Sequence, residues 1–161
     1  MQRQRETIVL TLDNKNVYKN PFNENKLSDS LSNYILEECK GFNYNSEIEI
    51  HIKANFEVSR EEKINIINMI RSNYGNDIKE NNIYMNHLTK RNIIFFIAGC
   101  LITAYSFVIE KSSPIISEIV LIIGWISIWE VLYSLFFSES KKRLEIKRLK
   151  QLANSKIIFF K

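Results

Sequence analysis

Two glutamates interrupt a long apolar segment in the C-terminal half of the chain. Glu118 and Glu130 lie in the run 115–137, whose other polar side chains are mostly serines. An ionisable residue is costly in a hydrocarbon layer and usually faces a protein interior or a watery cavity. Ser127 and Ser134 lie near the Glu130 side of a helix. These four residues are the predicted intramembrane polar set, with an ion pathway or a polar helix–helix contact as its two interpretations.

A second set of chemically capable residues follows this apolar run. Residues 138–161 carry eight lysines or arginines and two glutamates, a net charge of +6. Such a segment can bind anionic lipid headgroups as a topology anchor, or a polyanion such as a nucleotide or oligonucleotide signal. The anchor is the simpler interpretation. The predicted headgroup- or polyanion-binding residues are Lys141, Lys142, Arg143, Lys147, Arg148 and Lys150.

Residue patterns that support catalysis do not occur in the sequence. His51, His87 and Cys39 stand apart, without the spacing of a zinc site. Four glycines form neither a phosphate-binding loop nor a dinucleotide fingerprint. Cys39 and Cys100 fall in a polar and an apolar segment, so no disulfide is expected. The sequence therefore predicts no catalytic residue, no metal and no cofactor.

Two apolar segments are long enough to cross a bilayer. Residues 93–109 are uncharged, and residues 115–137 amply match a hydrocarbon core of ~30 Å. The short linker between them forces the helices to be antiparallel neighbours. Lys90 and Arg91 precede the first segment and the basic tail follows the second, so the positive-inside rule puts both termini in the cytoplasm. The chain is thus predicted to be a multi-pass cell-membrane protein with two spans.

Glu130 is the more informative of the two intramembrane acids. Glu118 is about one turn from the outer end of its span, so its carboxylate can reach the headgroups. Glu130 is about two turns, ~11 Å, from the inner boundary, which is long for a glutamate side chain. A lone hairpin cannot shelter this residue from lipid, so the sequence predicts a homo-oligomer. Gly99 and Gly124 would allow the helices to approach closely.

The first half of the chain has the pattern of a small α+β domain. Residues 7–12 fit a short strand, and the Asn-rich segment 15–26 fits a loop. Ser28 can cap a helix that runs to about Lys40. Apolar residues then alternate with polar ones from Ile48 to Phe56, as in a strand with one wet face.

A further helix begins at a capping box. Ser59 and Glu62 have the required spacing, and Gly75 is predicted to end this helix. The second span is predicted to continue through Ser138 without a break into a basic amphipathic helix. Residues 156–161 are β-prone and are predicted to return to the cytoplasmic sheet.

The predicted domain organisation has three parts. Residues 1–85 form the cytoplasmic α+β domain, residues 86–137 the transmembrane hairpin, and residues 138–161 the basic helix and terminal strand. About 85 residues make a marginal domain alone, so help from the C-terminus or a partner is expected.

The second span, the C-terminus and one strand–helix segment resemble parts of known groups of membrane proteins. The run 124–130 (GWISIWE), the Phe-Phe pair 136–137 and the terminal Ile-Ile-Phe-Phe, together with the strand–helix segment 48–74, resemble small uncharacterised two-span proteins of low-GC Gram-positive bacteria. A small cytoplasmic domain on a two-helix hairpin is also similar in architecture to membrane effectors of bacterial anti-phage systems, in which a signal opens or disrupts the membrane.

Two functions follow as expectations. The first is an oligomeric membrane effector, a gated channel or membrane disruptor controlled by its cytoplasmic domain. The alternative is a membrane-anchored interaction or scaffold module without a pore. The expected partners are the lipid bilayer, further copies of the chain, and a cytoplasmic protein or a nucleotide or oligonucleotide signal.

Overall fold

The computed structural model describes residues 5–160, and these form a mixed helix-and-strand fold with a small sheet and two long apolar helices. The described chain divides into two compact units. Unit 1 contains the residues up to Glu80 and those from Leu144 onward, and unit 2 is Asn81–Arg143.

Unit 1 is built on a three-stranded parallel sheet. Its strands are β1 (Arg5–Leu12), β4 (Glu47–Ala54) and β5 (Lys156–Phe160), in the order β1-β4-β5. The alternation of apolar and polar residues sets the register, because Ile8 pairs with Ile50 and Ile50 with Ile157 on one face. The C-terminal strand therefore does dock on the sheet, beside β4, as the β-prone terminal residues predict.

Three helical segments contribute to the core on that face of the sheet. They are α1 (Asp29–Glu38), the first part of α2 (Arg60–Ile109) and α4 (Ser140–Ala153). Ile35, Ile70 and Leu152 are fully buried in one cluster with the inward residues of β1 and β4. The chain thus uses its last helix and strand to complete a core that its first 85 residues would leave small.

Two predicted helix starts are confirmed at the level of single hydrogen bonds. The Ser28 side chain accepts a hydrogen bond from the Leu31 amide at the start of α1. At the start of α2, the Ser59 amide donates to Glu62 Oε2 at 3.0 Å and the Glu62 amide donates to Ser59 Oγ at 3.1 Å. This reciprocal pair is the capping box expected from the sequence.

The prediction that Gly75 ends its helix is wrong. α2 runs without interruption from Arg60 to Ile109. No described glycine has a positive φ, so Gly75 has not taken the left-handed conformation that commonly ends a helix. A glycine inside a helix costs about 1 kcal/mol relative to alanine, which neighbouring helix-forming residues can offset.

The segment predicted as a plain loop contains a small β-hairpin. β2 (Lys19–Asn20) pairs antiparallel with β3 (Asn23–Leu27). The Asn20 side-chain oxygen accepts a hydrogen bond from the Phe22 amide at 2.9 Å, which fixes the turn around Pro21. The Asn-rich segment therefore forms a hairpin turn in addition to loop structure.

Unit 2 holds the apolar helices. The second half of α2 belongs to this unit, and α3 (Pro114–Tyr133) begins with proline, whose missing amide hydrogen is harmless in the first turn of a helix. The helix then widens into a π turn at Ser134–Glu139 before α4. The predicted continuation through Ser138 is correct for the helical path, but the α-type hydrogen bonding changes over these residues.

Candidate functional site

The apolar helices expose most of their apolar surface. The helical stretches Arg60–Ile109 and Pro114–Ala153 are both long and apolar enough to cross a membrane, and only 17% of each apolar window is buried. A core helix of a soluble protein would be mostly buried. The exposed side chains include Ile94, Phe107, Ile122 and Trp129.

Close contact between the two helices depends on two glycines. A Cβ atom added at Gly124 would stand 3.0 Å from the Thr103 amide nitrogen and 3.1 Å from the Gly99 carbonyl oxygen. A Cβ at Gly99 would meet Ile128 Cγ1 at 2.8 Å. Nearer the connecting turn, Ser117 Oγ donates to the Ser106 carbonyl at 2.9 Å. Small and hydroxyl residues therefore line the contact, as in packed membrane helices.

The predicted intramembrane polar residues do not form one group. Glu118 and Glu130 are both exposed on the outer surface of α3. Ser127 donates to the Ile123 carbonyl of its own helix at 3.0 Å. Ser134 is buried and faces α2. The structure thus separates the two acids from the buried hydroxyl that the sequence associated with Glu130.

Unit 2 also contains a buried polar cluster, formed by other residues together with Ser134. Asn92 Nδ2 donates to Ser134 Oγ at 2.9 Å and to Glu139 Oε1 at 3.0 Å. Glu139 is 3% exposed, and its other oxygen lies 3.4 Å from the Arg143 guanidinium. The cluster satisfies a carboxylate that would otherwise be very costly to bury. It lies at the π turn, a deviation that is frequent at functional sites.

Sequence reasoning missed Asn92 and Glu139 because each falls just outside an apolar run. One signal was present. In an antiparallel helix pair, residues at similar distances from the connecting turn lie opposite each other, and Asn92 and Ser134 meet that condition to within a turn. A single sequence does not show which of the many polar residues near the ends of the helices pair in this way.

The six basic residues predicted to bind headgroups or polyanions do not share one surface role. Lys141, Lys142 and Arg143 belong to unit 2, and the Lys142 ammonium lies 5.7 Å from the Tyr84 ring centroid. Lys147, Arg148 and Lys150 belong to unit 1. Lys141, Arg143, Lys147 and Lys150 are exposed, Lys142 is half-buried, and Arg148 is buried.

Arg148 is a structural residue in this fold. It is 5% exposed, and its guanidinium donates to the Phe42 carbonyl at 2.7 Å and to Gln151 Oε1 at 3.1 Å. The guanidinium also lies 4.2 Å from the Tyr44 ring centroid. Its donors join α4 to the loop before β4, so its assignment to headgroup or polyanion binding is not supported.

Burial also keeps two potential nucleophiles of unit 1 in their neutral forms. Burial raises the pKa of the Cys39 thiol to about 11. It likewise raises the pKa of Tyr74, whose hydroxyl donates to the Ser32 carbonyl at 3.0 Å. Both side chains belong to the core and are unsuited to nucleophilic attack. Within residues 5–160, no group of three or more His, Cys, Asp or Glu side chains is arranged to hold a metal ion.

Comparison with known proteins found no match to the chain among protein families, curated proteins or solved structures.

Proposed function

We propose that the chain is an oligomeric membrane effector. In this proposal the two apolar helices cross the bilayer as a hairpin, and several copies associate to form a gated channel or a membrane disruptor. Unit 1 lies in the cytoplasm and controls the state of the membrane segment. Its partners are the lipid bilayer and further copies of the same chain.

Exposed apolar surface supports a membrane location. Isoleucine, phenylalanine and tryptophan side chains cover the outside of both helices over lengths that match a hydrocarbon core. A soluble protein rarely exposes apolar patches of this extent. Basic residues on both outer flanks favour cytoplasmic termini.

The exposed position of Glu130 is the observation that supports the proposed oligomer. Its neighbours Ile126, Trp129 and Tyr133 are all exposed and largely apolar. A carboxylate on this surface requires water or a polar group from another chain once the helix lies in lipid. The contact with α2 does not supply either, because Glu130 points away from it.

A role in anti-phage defence extends this proposal. Its support is the architectural similarity between a small cytoplasmic domain on a two-helix hairpin and the membrane effectors of those systems. In such a role, a signal received by unit 1 would open or disrupt the cell membrane.

The alternative is a membrane-anchored interaction module, and one feature of unit 1 favours it. Parallel sheets are usually covered on both faces. The second face of this sheet carries Val9, His51 and Phe160, and Val9 is 56% exposed. A cytoplasmic partner protein could cover that face. The alternative predicts that an unrelated membrane anchor can replace both helices without loss of function, whereas the effector requires its own.

Substitutions at Glu130 test the effector directly. In vesicles containing the purified chain, Glu130→Leu is expected to abolish ion flux, because it removes the polar group from the subunit contact. Glu130→Gln keeps the shape and hydrogen bonding, so the oligomer is expected to persist while the flux changes. Flux is measured with an ion-sensitive dye, and oligomer size by mass photometry in detergent.

Glu118→Gln is the matched control, since Glu118 is also exposed on α3 but lies near the end of its span. Its flux and oligomer size are expected to equal those of the wild type. Wild-type flux and wild-type oligomers in both Glu130 variants would contradict the effector proposal.

A further inference from the structure

Unit 1 contains a basic cleft at the edge of the sheet where the parallel strands begin. Its volume is about 420 Å³, within the usual range for small-molecule sites. Arg5, Glu47 and Lys156 are the first residues of β1, β4 and β5, and all three line it. The end of α4 supplies the opposite wall with Lys147 and Lys150.

The charges of this cleft are unbalanced. Among the residues that the structure describes, four cationic side chains line it, namely Arg5, Lys147, Lys150 and Lys156, against the carboxylates of Glu47 and Glu49, a net charge of +2. A concave surface with an excess of one sign of charge attracts ligands of the opposite charge. The chain therefore provides a local attraction for an anion.

Glu49 lies near two of these cations, where the strands begin. Its Oε1 atom lies 3.7 Å from Arg5 Nη1 and 3.9 Å from Lys156 Nζ. His51 lies 3.3 Å from the other carboxylate oxygen. One carboxylate thus lies near cations from both neighbouring strands, and their combined positive charge exceeds its own.

The wall formed by α4 is held in place by hydrogen bonds to the loop before β4. Gln151 Nε2 donates to the Asn43 carbonyl at 3.1 Å and to the Ser46 carbonyl at 2.9 Å. The Arg148 contacts to Phe42 and Tyr44 fix the same loop. Lys147 and Lys150 consequently project from a pre-organised surface, which lowers the entropic cost of binding a ligand.

The spacing of Lys147 and Lys150 also needs an explanation. Two lysines three residues apart on one helix face repel each other and slightly destabilise the helix. Lys147 Nζ donates to Asn45 Oδ1 at 2.8 Å, which is a neutral acceptor. Lys150 is exposed. A bound dianion between them would replace this repulsion with attraction.

We infer that this cleft binds the phosphate group of a small phosphorylated molecule, with Lys147, Lys150 and Lys156 as its cationic contacts. A nucleotide or the headgroup of an anionic phospholipid carries this chemistry. Tyr44 and Asn154 also line the cleft and can contact the remainder of the molecule. The site belongs to unit 1 alone and does not depend on the proposed membrane function.

Calorimetric titration of the full chain in non-ionic detergent tests this site. The probes are ATP, pyrophosphate and a short-chain phosphatidylglycerol below its micelle concentration, each without divalent cations. Lys150→Ala removes one charge-assisted contact and is expected to weaken binding about tenfold or more. Lys156→Ala, on the opposite wall, is expected to act in the same direction. Lys26→Ala, an exposed lysine outside the cleft, is the control and is expected to bind like the wild type.

The probes separate the two sources of the phosphate group. Binding of ATP or pyrophosphate that is weakened by Lys150→Ala identifies a soluble ligand. Binding of phosphatidylglycerol alone, with the same loss in that variant, identifies a lipid headgroup. The inference is overturned if none of the probes binds, or if Lys150→Ala and Lys26→Ala leave every affinity equal to that of the wild type.

Discussion

Replacing Arg148 with alanine is expected to lower the free energy of unfolding of unit 1 by about 2–4 kcal/mol. The substitution removes a buried guanidinium and leaves the Phe42 carbonyl and the Gln151 side-chain oxygen without its donors. It also removes the ring contact with Tyr44. Faster hydrogen exchange of β4 amides, measured by mass spectrometry on the full chain, is the expected observation.

Two variants control for this effect. Arg148→Lys keeps the charge but lacks the planar fork of donors, so it is expected to recover only part of the stability. Arg71→Ala removes an exposed arginine from α2 and is expected to change β4 exchange very little. Wild-type exchange in Arg148→Ala would mean that the guanidinium does not hold α4 against the loop before β4.

Replacing Gly124 with leucine is expected to separate the apolar helices, at a cost of about 3 kcal/mol or more. Its Cβ atom alone would collide with Thr103 Oγ1 and crowd the backbone of both Thr103 and Gly99. Backbone atoms cannot move aside as a flexible side chain can, so the helix axes must shift. SDS titration in mixed micelles, followed by the fluorescence of Trp125 and Trp129, is expected to show unfolding at a lower SDS fraction.

Smaller substitutions define the source of the cost. Gly124→Ala is expected to destabilise the helix pair less than Gly124→Leu does. Adding Thr103→Ala to Gly124→Ala is expected to recover only the part of the lost stability that is due to the clash with the Thr103 hydroxyl. Gly75→Ala is the matched control, because a Cβ there meets nothing within 4 Å. Removing that mid-helix glycine is expected to raise helix stability by about 0.5–1 kcal/mol. Equal behaviour of the Gly124 and Gly75 variants would contradict the close contact.

Features that depend on local chemistry could be predicted from the sequence. The alternation from Ile48 gives β4, and the hydroxyls of Ser28 and Ser59 give two helix starts, because each depends on residues only a few positions apart. The terminal Ile-Ile-Phe-Phe correctly indicated a strand. Its return to the sheet was also predicted, but the sequence did not show whether it would pair with β1 or with β4.

Features that depend on tertiary contacts could not be predicted in the same way. Glycine is a common residue at the end of a helix, which is why Gly75 was predicted to end this one. The residues next to it in the sequence did not show that the helix would continue. The π turn at Ser134–Glu139 accompanies the pairing of Asn92 with Ser134 and Glu139, more than 40 positions apart. Arg148 looked like one more cation of a basic tail, and only its contacts with the loop before β4 show that it is buried.

The location of the apolar helices is the claim on which the proposed function depends, and compartment-specific reporter fusions measure it most directly. A reporter joined after Ser113, in the turn between α2 and α3, is expected to be active outside the cytoplasm. The same reporter at the C-terminus is expected to be cytoplasmic, because the basic residues that follow the second span favour that side. Activity of both fusions in the same compartment would contradict a two-span membrane protein.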